Sequence, residues 1–283
     1  MFRRASIFFF SSCFYFSGVS SNDHSLNLGN FYVKPIVGTE IAISGDALKA
    51  STYSQTAATT LTFNDGTIVT AGATGTVNVP DVSFDDAYNQ SISFGGEVGY
   101  KFDDDIDGYF KVNHVSADAK TFVAATASVN ATITFGGTSS SYSAGGTLFE
   151  GKFSDYNETS FLIGGRKYFD HNKFDFSLGA GLGFSMIGDI DLKVTEKISG
   201  SNNTETLKFS KDSTVFVGEI NGGLNYDIDS DFTLGFDVGY KFKGASERDT
   251  GDFNSTNLDT LESSNDSDGQ HVIGILGGLT YSF

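Results

Sequence analysis

From residue 30 onward the chain repeatedly alternates apolar and polar or small residues with a period of two. In the fourteen residues from Gln270 to Phe283, one parity holds Ile273, Ile275, Gly277, Leu279, Tyr281 and Phe283, and the other Val272, Gly274, Leu276, Gly278, Thr280 and Ser282. Successive side chains of a strand point to opposite faces, so this segment has one apolar, aromatic-tipped face and one of small residues. Such a strand suits a wall between lipid and a filled lumen.

The same pattern recurs upstream. Phe232 to Phe242, Phe174 to Met186, Phe216 to Ile228 and Ile92 to Phe102 each present a row of Phe, Leu, Ile, Val or Tyr opposite a row of Gly, Ser, Asn and charged residues. Their lengths are close to the ~9–11 residues of a tilted membrane strand. Three weaker candidates complete the set. Phe31 to Ile43 alternates across Pro35, Tyr109 to Ala117 sets Phe110 and Val112 against Tyr109, Lys111 and Asn113, and Thr159 to Phe169 blurs at Arg166, Lys167 and Tyr168. The pattern thus predicts eight strands.

Connections alternate in length. Short ones run Asp103 to Gly108, Asp170 to Lys173 and Asp229 to Asp231; long ones run Gly45 to Asn89, Asp118 to Tyr156, Leu192 to Asp212 and Ala245 to Gly269. An up-and-down barrel of the outer membrane has this asymmetry, with short periplasmic turns and long external loops. Tyr100, Phe102, Phe110, Tyr168, Phe169, Phe174, Tyr226, Phe232, Tyr240, Phe242, Tyr281 and Phe283 all lie next to the short turns or the C-terminus, and predict a ring belt at one membrane interface. Within the first long connection, Asn64-Asp65-Gly66 between Thr60-Leu61-Thr62-Phe63 and Thr67-Ile68-Val69-Thr70 signals a hairpin. Thr121 to Phe135 is also strand-like in composition, and the pattern leaves open whether these loops are ordered.

Composition agrees with strands: 34 Gly, 28 Phe and 12 Tyr against 2 Pro and no Trp in 283 residues. A mean hydropathy of −0.12 would suit a soluble chain, so membrane residence requires a closed barrel whose alternation hides its apolar half. At the start, Arg3 and Arg4, the apolar run Ala5 to Phe16, and Gly18-Val19-Ser20 have the order of an export signal. The division expected is residues 1–20 as signal peptide and 21–283 as the barrel domain, with Cys13, the single cysteine, in the signal. The barrel would then hold 16 basic and 35 acidic residues, a net charge of −19, which excludes nucleic acid as a partner class.

With these residues in view, the chain resembles small outer-membrane barrels of the Opa-like and OmpA-transmembrane type, and among them the Rickettsiales major surface antigens. Gly29-Asn30-Phe31-Tyr32-Val33, Phe94-Gly95-Gly96-Glu97-Val98-Gly99-Tyr100 and Gly277-Gly278-Leu279-Thr280-Tyr281-Ser282-Phe283 carry the resemblance. Gly278, Tyr281 and Phe283 match the C-terminal assembly signal of such barrels, while Leu276 stands where that signal has a polar residue. The resemblance implies insertion by the outer-membrane assembly machinery and exposure of variable loops to a host or environment.

Candidate chemistry is sparse. Asp103, Asp105, Asp107 and Gly108 copy the start of a calcium loop, but His114 occupies the position of its bidentate Glu, so an acidic turn is the better reading. In the Asp227, Asp229, Asp231 cluster, Phe232 replaces the glycine. Lys34, Glu40, Glu97, Lys101, Lys111, Glu219, Asp237 and Lys241 face the lumen on the predicted parity. An eight-stranded interior is only just wide enough for side chains, which favours a paired network over a conducting path. His24, His114, His171 and His271 lack a nucleophile elbow or a phosphate-cradling motif around them.

The expected protein is therefore all-β, an eight-stranded antiparallel up-and-down transmembrane β-barrel in the bacterial outer membrane. It is a surface antigen, adhesin-like, not an enzyme, with no catalytic, cofactor or metal residues assigned. Its expected partners are outer-membrane lipid, the assembly machinery, and host or environmental ligands at the loops. A porin or small-solute channel is the alternative; a soluble lipocalin-like carrier would need the opposite faces.

Overall fold

The computed structural model describes residues 30–103, 105–171, 173–197, 203–246 and 269–283. The expected signal segment, His24 and most of the fourth long connection lie outside the described residues.

In chain order the elements are β1 (Phe31–Ser44), β2 (Asp46–Leu48), β3 (Ser51–Thr62), β4 (Ile68–Val79), β5 (Val82–Ser83), α1 (Phe84–Ala87), β6 (Ile92–Lys101) and β7 (Ile106–Ala117). There follow β8 (Thr121–Phe135), β9 (Thr138–Phe153), β10 (Tyr156–His171), β11 (Phe174–Ile187) and β12 (Ile190–Glu196). The last four are β13 (Thr204–Ser210), β14 (Ser213–Asp227), β15 (Phe232–Lys243) and β16 (Gln270–Ser282).

Eight of these close into an antiparallel barrel in the order β1-β16-β15-β14-β11-β10-β7-β6. They are the eight strands that the alternation predicts. Closure pairs every wall strand on both sides, the condition for a sheet to cross hydrocarbon, where an unpaired backbone amide costs several kcal/mol. The wall has the expected polarity. Ile163, Leu178, Leu182 and Ile220 point outward and are 62–71% exposed, while Ser93, Asn113, Ser160 and Ser185 point inward and are fully buried. A surface this apolar, wrapped around a polar interior, faces lipid.

At the short-turn end the outward rings meet across strands: Phe31 with Tyr100, Phe174 with Tyr226 and Phe232 with Tyr281, at 5.0, 5.1 and 5.2 Å between centroids. Three residues of the predicted belt lie elsewhere. Tyr240 and Phe242 sit near the opposite end of β15, both against His271. Tyr168 keeps the inward parity of Leu162 and Arg166, so its ring enters the lumen.

Three of the long connections supply a second sheet, ordered β13-β12-β9-β8-β4-β3. The predicted hairpin is β3–β4, in register from Ser51↔Val79 to Thr62↔Ile68. Its turn places Gly66 at φ 82°, while Asp65 Oδ1 accepts the Thr67 amide at 2.9 Å. The β8–β9 hairpin turns on Gly136-Gly137, whose φ values of 55° and 83° are those of a two-residue primed turn. β4 then pairs with β8, and β9 with β12, so strands from three loops share one sheet.

That sheet is rooted on the barrel by an apolar cluster. Leu48, Val79, Val82, Tyr88, Phe153, Leu192 and Phe209 meet there with Ile187 and Val215 from the barrel wall, all buried. The Tyr88 ring lies 6.0 Å from Phe153 and 5.7 Å from Tyr156. The short α1 that carries Ala87 into the cluster is capped by Ser83, whose hydroxyl accepts the Asp86 amide at 3.1 Å.

Candidate functional site

The inward parity of the barrel strands builds a continuous column of charge. Five cations (Lys34, Lys111, Arg166, Lys241, Lys243) and six anions (Glu40, Glu97, Asp107, Glu158, Glu219, Asp237) are buried in it. Desolvation makes isolated buried charges prohibitive, so the arrangement is intelligible only as a mutually paired set.

Near the short turns, Arg166 contacts Glu97 at 2.9 Å and Asp107 at 3.6 Å. Its guanidinium also lies 4.8 Å over the Tyr109 ring. The Tyr32 hydroxyl lies 2.9 Å from Glu97 and 2.7 Å from Asp107, and Tyr168 donates to the same Asp107 oxygen at 2.7 Å. Two glycines make this possible. A Cβ at Gly99 would run into the Tyr32 ring, and one at Gly164 into the Tyr109 ring, so both rings lie flat on the wall only because these positions lack side chains.

Lys34 pairs with Asp237 at 2.5 Å. Elsewhere the signs alternate in an unbroken chain. Lys111 bonds Glu219, which lies 3.9 Å from Lys241; Lys241 bonds Glu40; Lys243 then bridges Glu40 at 3.3 Å and Glu158 at 2.5 Å. Neutral donors add to the carboxylates: Asn221 to Glu219 at 2.8 Å, Asn113 to Glu40 at 3.0 Å, and Tyr156 to Glu158 at 2.6 Å. Ser160 and Ser185 donate to the other Glu158 oxygen at 2.9 and 2.7 Å.

Little space remains. Between Lys111, Glu219, Arg166 and Asp237 the free volume is about 10 Å³, the room of roughly one water. Above the column, at the long-loop end, a cavity of about 260 Å³ opens between Phe84, Tyr88, Tyr156, Lys243 and Gln270. It falls below the ~300–1,000 Å³ of ordinary ligand pockets and is floored by Glu40, which the column already holds. The geometry serves as a plug with a shallow vestibule.

Seven of the eight predicted lumen charges are in the column; Lys101 is the exception, exposed where β6 leaves the wall. Arg166, Asp107 and Glu158 are members that the strand pattern did not nominate, and Lys243, on the same parity as Lys241, is one that it placed on the polar row but not among the lumen charges. The acidic turn comes apart as a cluster. Asp107 turns into the lumen, Asp105 faces Lys167 at 3.8 Å, and Asp103 accepts the Asp105 amide at 3.0 Å. Asp229 similarly accepts the amides of Asp231 and Phe232, both at 2.9 Å. Among the described residues no three His, Cys, Asp or Glu side chains gather as a metal site. His114 and His271 lie on the outward parity of separate strands, His114 against Phe94 and Thr159, His271 against Tyr240 and Phe242.

No protein-family model matches the chain, and no curated protein matches it. Solved structures are similar in outline. Neisserial surface protein A is 14% identical with a TM-score of 0.37, over 90% of this chain and 97% of that one. The attachment invasion locus protein Ail of Yersinia pestis, in complex with the heparin analogue sucrose octasulfate, is 13% identical with a TM-score of 0.35, over 90% and 99%. The outer membrane protease OmpT from Escherichia coli is 13% identical with a TM-score of 0.40, over 93% and 100%. The class follows from the barrel itself: closed, antiparallel, apolar outside and charged within, it is a transmembrane β-barrel of the bacterial outer-membrane kind.

Proposed function

We propose that the protein is an adhesin-like surface antigen, in which the barrel is a rigid mount and the loop sheet carries recognition. The supporting observation is the contrast between the two halves. The lumen closes on its own ion pairs, whereas β3 and the outer ten residues of β9 are exposed on both faces, and β4 and β8 between them stay half-buried or exposed beyond their roots. The resemblance of the strand segments to Rickettsiales major surface antigens supports the same reading. In this reading the short turns face the periplasm and the long loops the exterior. Residues 1–20 are the export signal, and the assembly machinery reads β16. The ligand at the loops is a host or environmental surface.

A channel role is the less supported reading, because ion pairs span the lumen and the free volume among Lys111, Glu219, Arg166 and Asp237 is about 10 Å³. Expression on a non-adherent bacterial strain tests the adhesin reading. Cells displaying the full chain should bind host cells or matrix. Replacing 51–79 and 121–149 by short turns should abolish binding while the barrel keeps its heat-dependent mobility. Adhesion indifferent to that replacement would sink the proposal.

A further inference from the structure

The hairpins β3–β4 and β8–β9 form a four-stranded blade with two unlike faces. On one, polar side chains satisfy one another across strands: Ser54 with Thr76 and Thr56 with Thr74 at 3.1 Å, Thr134 with Ser139 at 2.8 Å, and Ser143 with Asn130 at 2.7 Å. The opposite parity holds Tyr53, Leu61, Val129, Ile133, Phe135 and Tyr142, which are 44–68% exposed. Between them Ala57, Ala73 and Ala131 stand side by side in register, giving that face a flat centre of small residues. At its root the same face is core, where Val79 and Ala125 are almost completely buried. Among the described residues nothing continues that cover toward the tip.

We propose that this apolar face is the contact between two copies of the chain, packed sheet against sheet. Three observations favour a second copy over other occupants. Residues 51–79 and 121–149 contain a single charged residue, Asp65, although the chain carries 35 acidic against 18 basic residues. Copies so acidic repel wherever their other surfaces meet, and the blade is where that repulsion is weakest. The second observation is size. Four strands about 4.8 Å apart and twelve residues long at about 3.3 Å each span roughly 750 Å², close to the ~800 Å² per partner of a standard interface. The third is shape, since a flat alanine centre lets two such faces approach to the ~10 Å of packed sheets, with the Leu61, Ile133 and Phe135 side chains filling the tip.

The test uses residues 21–283 refolded into lipid vesicles, a chain whose only native cysteine, Cys13, has been left out with the signal segment. Two-colour colocalisation counts copies, and heat-dependent mobility verifies the barrel in each variant. The wild-type chain should pair. Ala131→Glu should lower the association constant at least tenfold, and Ala131→Cys should link copies through a short bismaleimide. On the opposite face, Thr74→Glu and Thr74→Cys should do neither. A monomeric wild type would overturn the proposal, as would pairing weakened equally from both faces. Protection of Ala131→Cys from a water-soluble maleimide in single-copy vesicles would put lipid against the face and equally overturn it.

Discussion

Lys243 holds Glu158 at 2.5 Å across the lumen, although their strands, β15 and β10, are separated in the wall by β14 and β11. The bond is a tie from wall to wall. The same holds for Lys111 on β7 and Glu219 on β14, which β10 and β11 separate. The barrel interior is therefore braced by ion pairs where a soluble protein would pack hydrocarbon, and its stability depends on their completeness.

Lys34→Met should expose that dependence. It leaves Asp237 buried without the cation 2.5 Å away, a loss expected to cost about 3–5 kcal/mol. Lys34→Met with Asp237→Leu should recover most of it. Urea unfolding in micelles measures both, and equal losses in the single and double variants would contradict the pairing.

A closed lumen predicts silence in planar bilayers. The wild-type chain should carry no steady ion current. Replacing Lys111, Glu219 and Arg166 together by alanine should produce one, because these side chains line a free volume of only about 10 Å³ inside the barrel. Sustained conductance by the unmodified chain would instead restore the channel reading.

The two surfaces of the molecule should respond differently to arginine. Leu178→Arg, near the middle of β11 and 62% exposed, should cost about 2–4 kcal/mol of folding stability in bilayers. Thr56→Arg, on the hydroxyl face of the blade, should stay within about 0.5 kcal/mol. Comparable costs at the two sites would remove the lipid face from β11.

Gly99→Val should evict the Tyr32 ring and break its bonds to Glu97 and Asp107, an overpacking cost of roughly 1–3 kcal/mol. Gly75→Val, which meets open space, should cost less. Refolding yield and urea midpoint distinguish them.

The β3–β4 turn should be acid-sensitive. The Thr67 backbone amide holds the Asp65 carboxyl below the usual aspartate range. A depressed folded-state value means that the turn's stabilisation is complete above the unfolded value and is lost as pH falls through the folded one. Carbonyl NMR of Asp65 should titrate below a free aspartate, and the Thr67 amide should shift with it. An ordinary titration would refute the bond.

Much of this was legible from local pattern. Period-two alternation specifies which side chains face lipid, and by itself it places Lys34, Glu40, Glu97, Lys111, Glu219, Asp237 and Lys241 in the lumen. Its errors have physical causes. Lys101 has the inward parity but lies where the wall ends, so parity no longer implies burial. Asp107 reads as turn because three other aspartates precede it, yet it shares the parity of Tyr109 and Lys111. Arg166 is obscured by Lys167 beside it, although Leu162 and Gly164 set its face. Glu158 lies just before the segment that alternates clearly, and Lys243, although it ends the polar row of Asp237 and Lys241, stands at the edge of the long connection where parity alone does not promise burial. Asn64-Asp65-Gly66 announced one hairpin locally. The pairings of β4 with β8 and β9 with β12 join separate loops, and no local signal encodes such contacts.

Because β4, β8, β9 and β12 come from three different loops, their shared surface exists only in the assembled molecule. No synthetic peptide spanning one loop reproduces it. Antibodies that recognise this sheet should be blind to denatured chains, and sera raised on linear fragments should miss it in the folded protein.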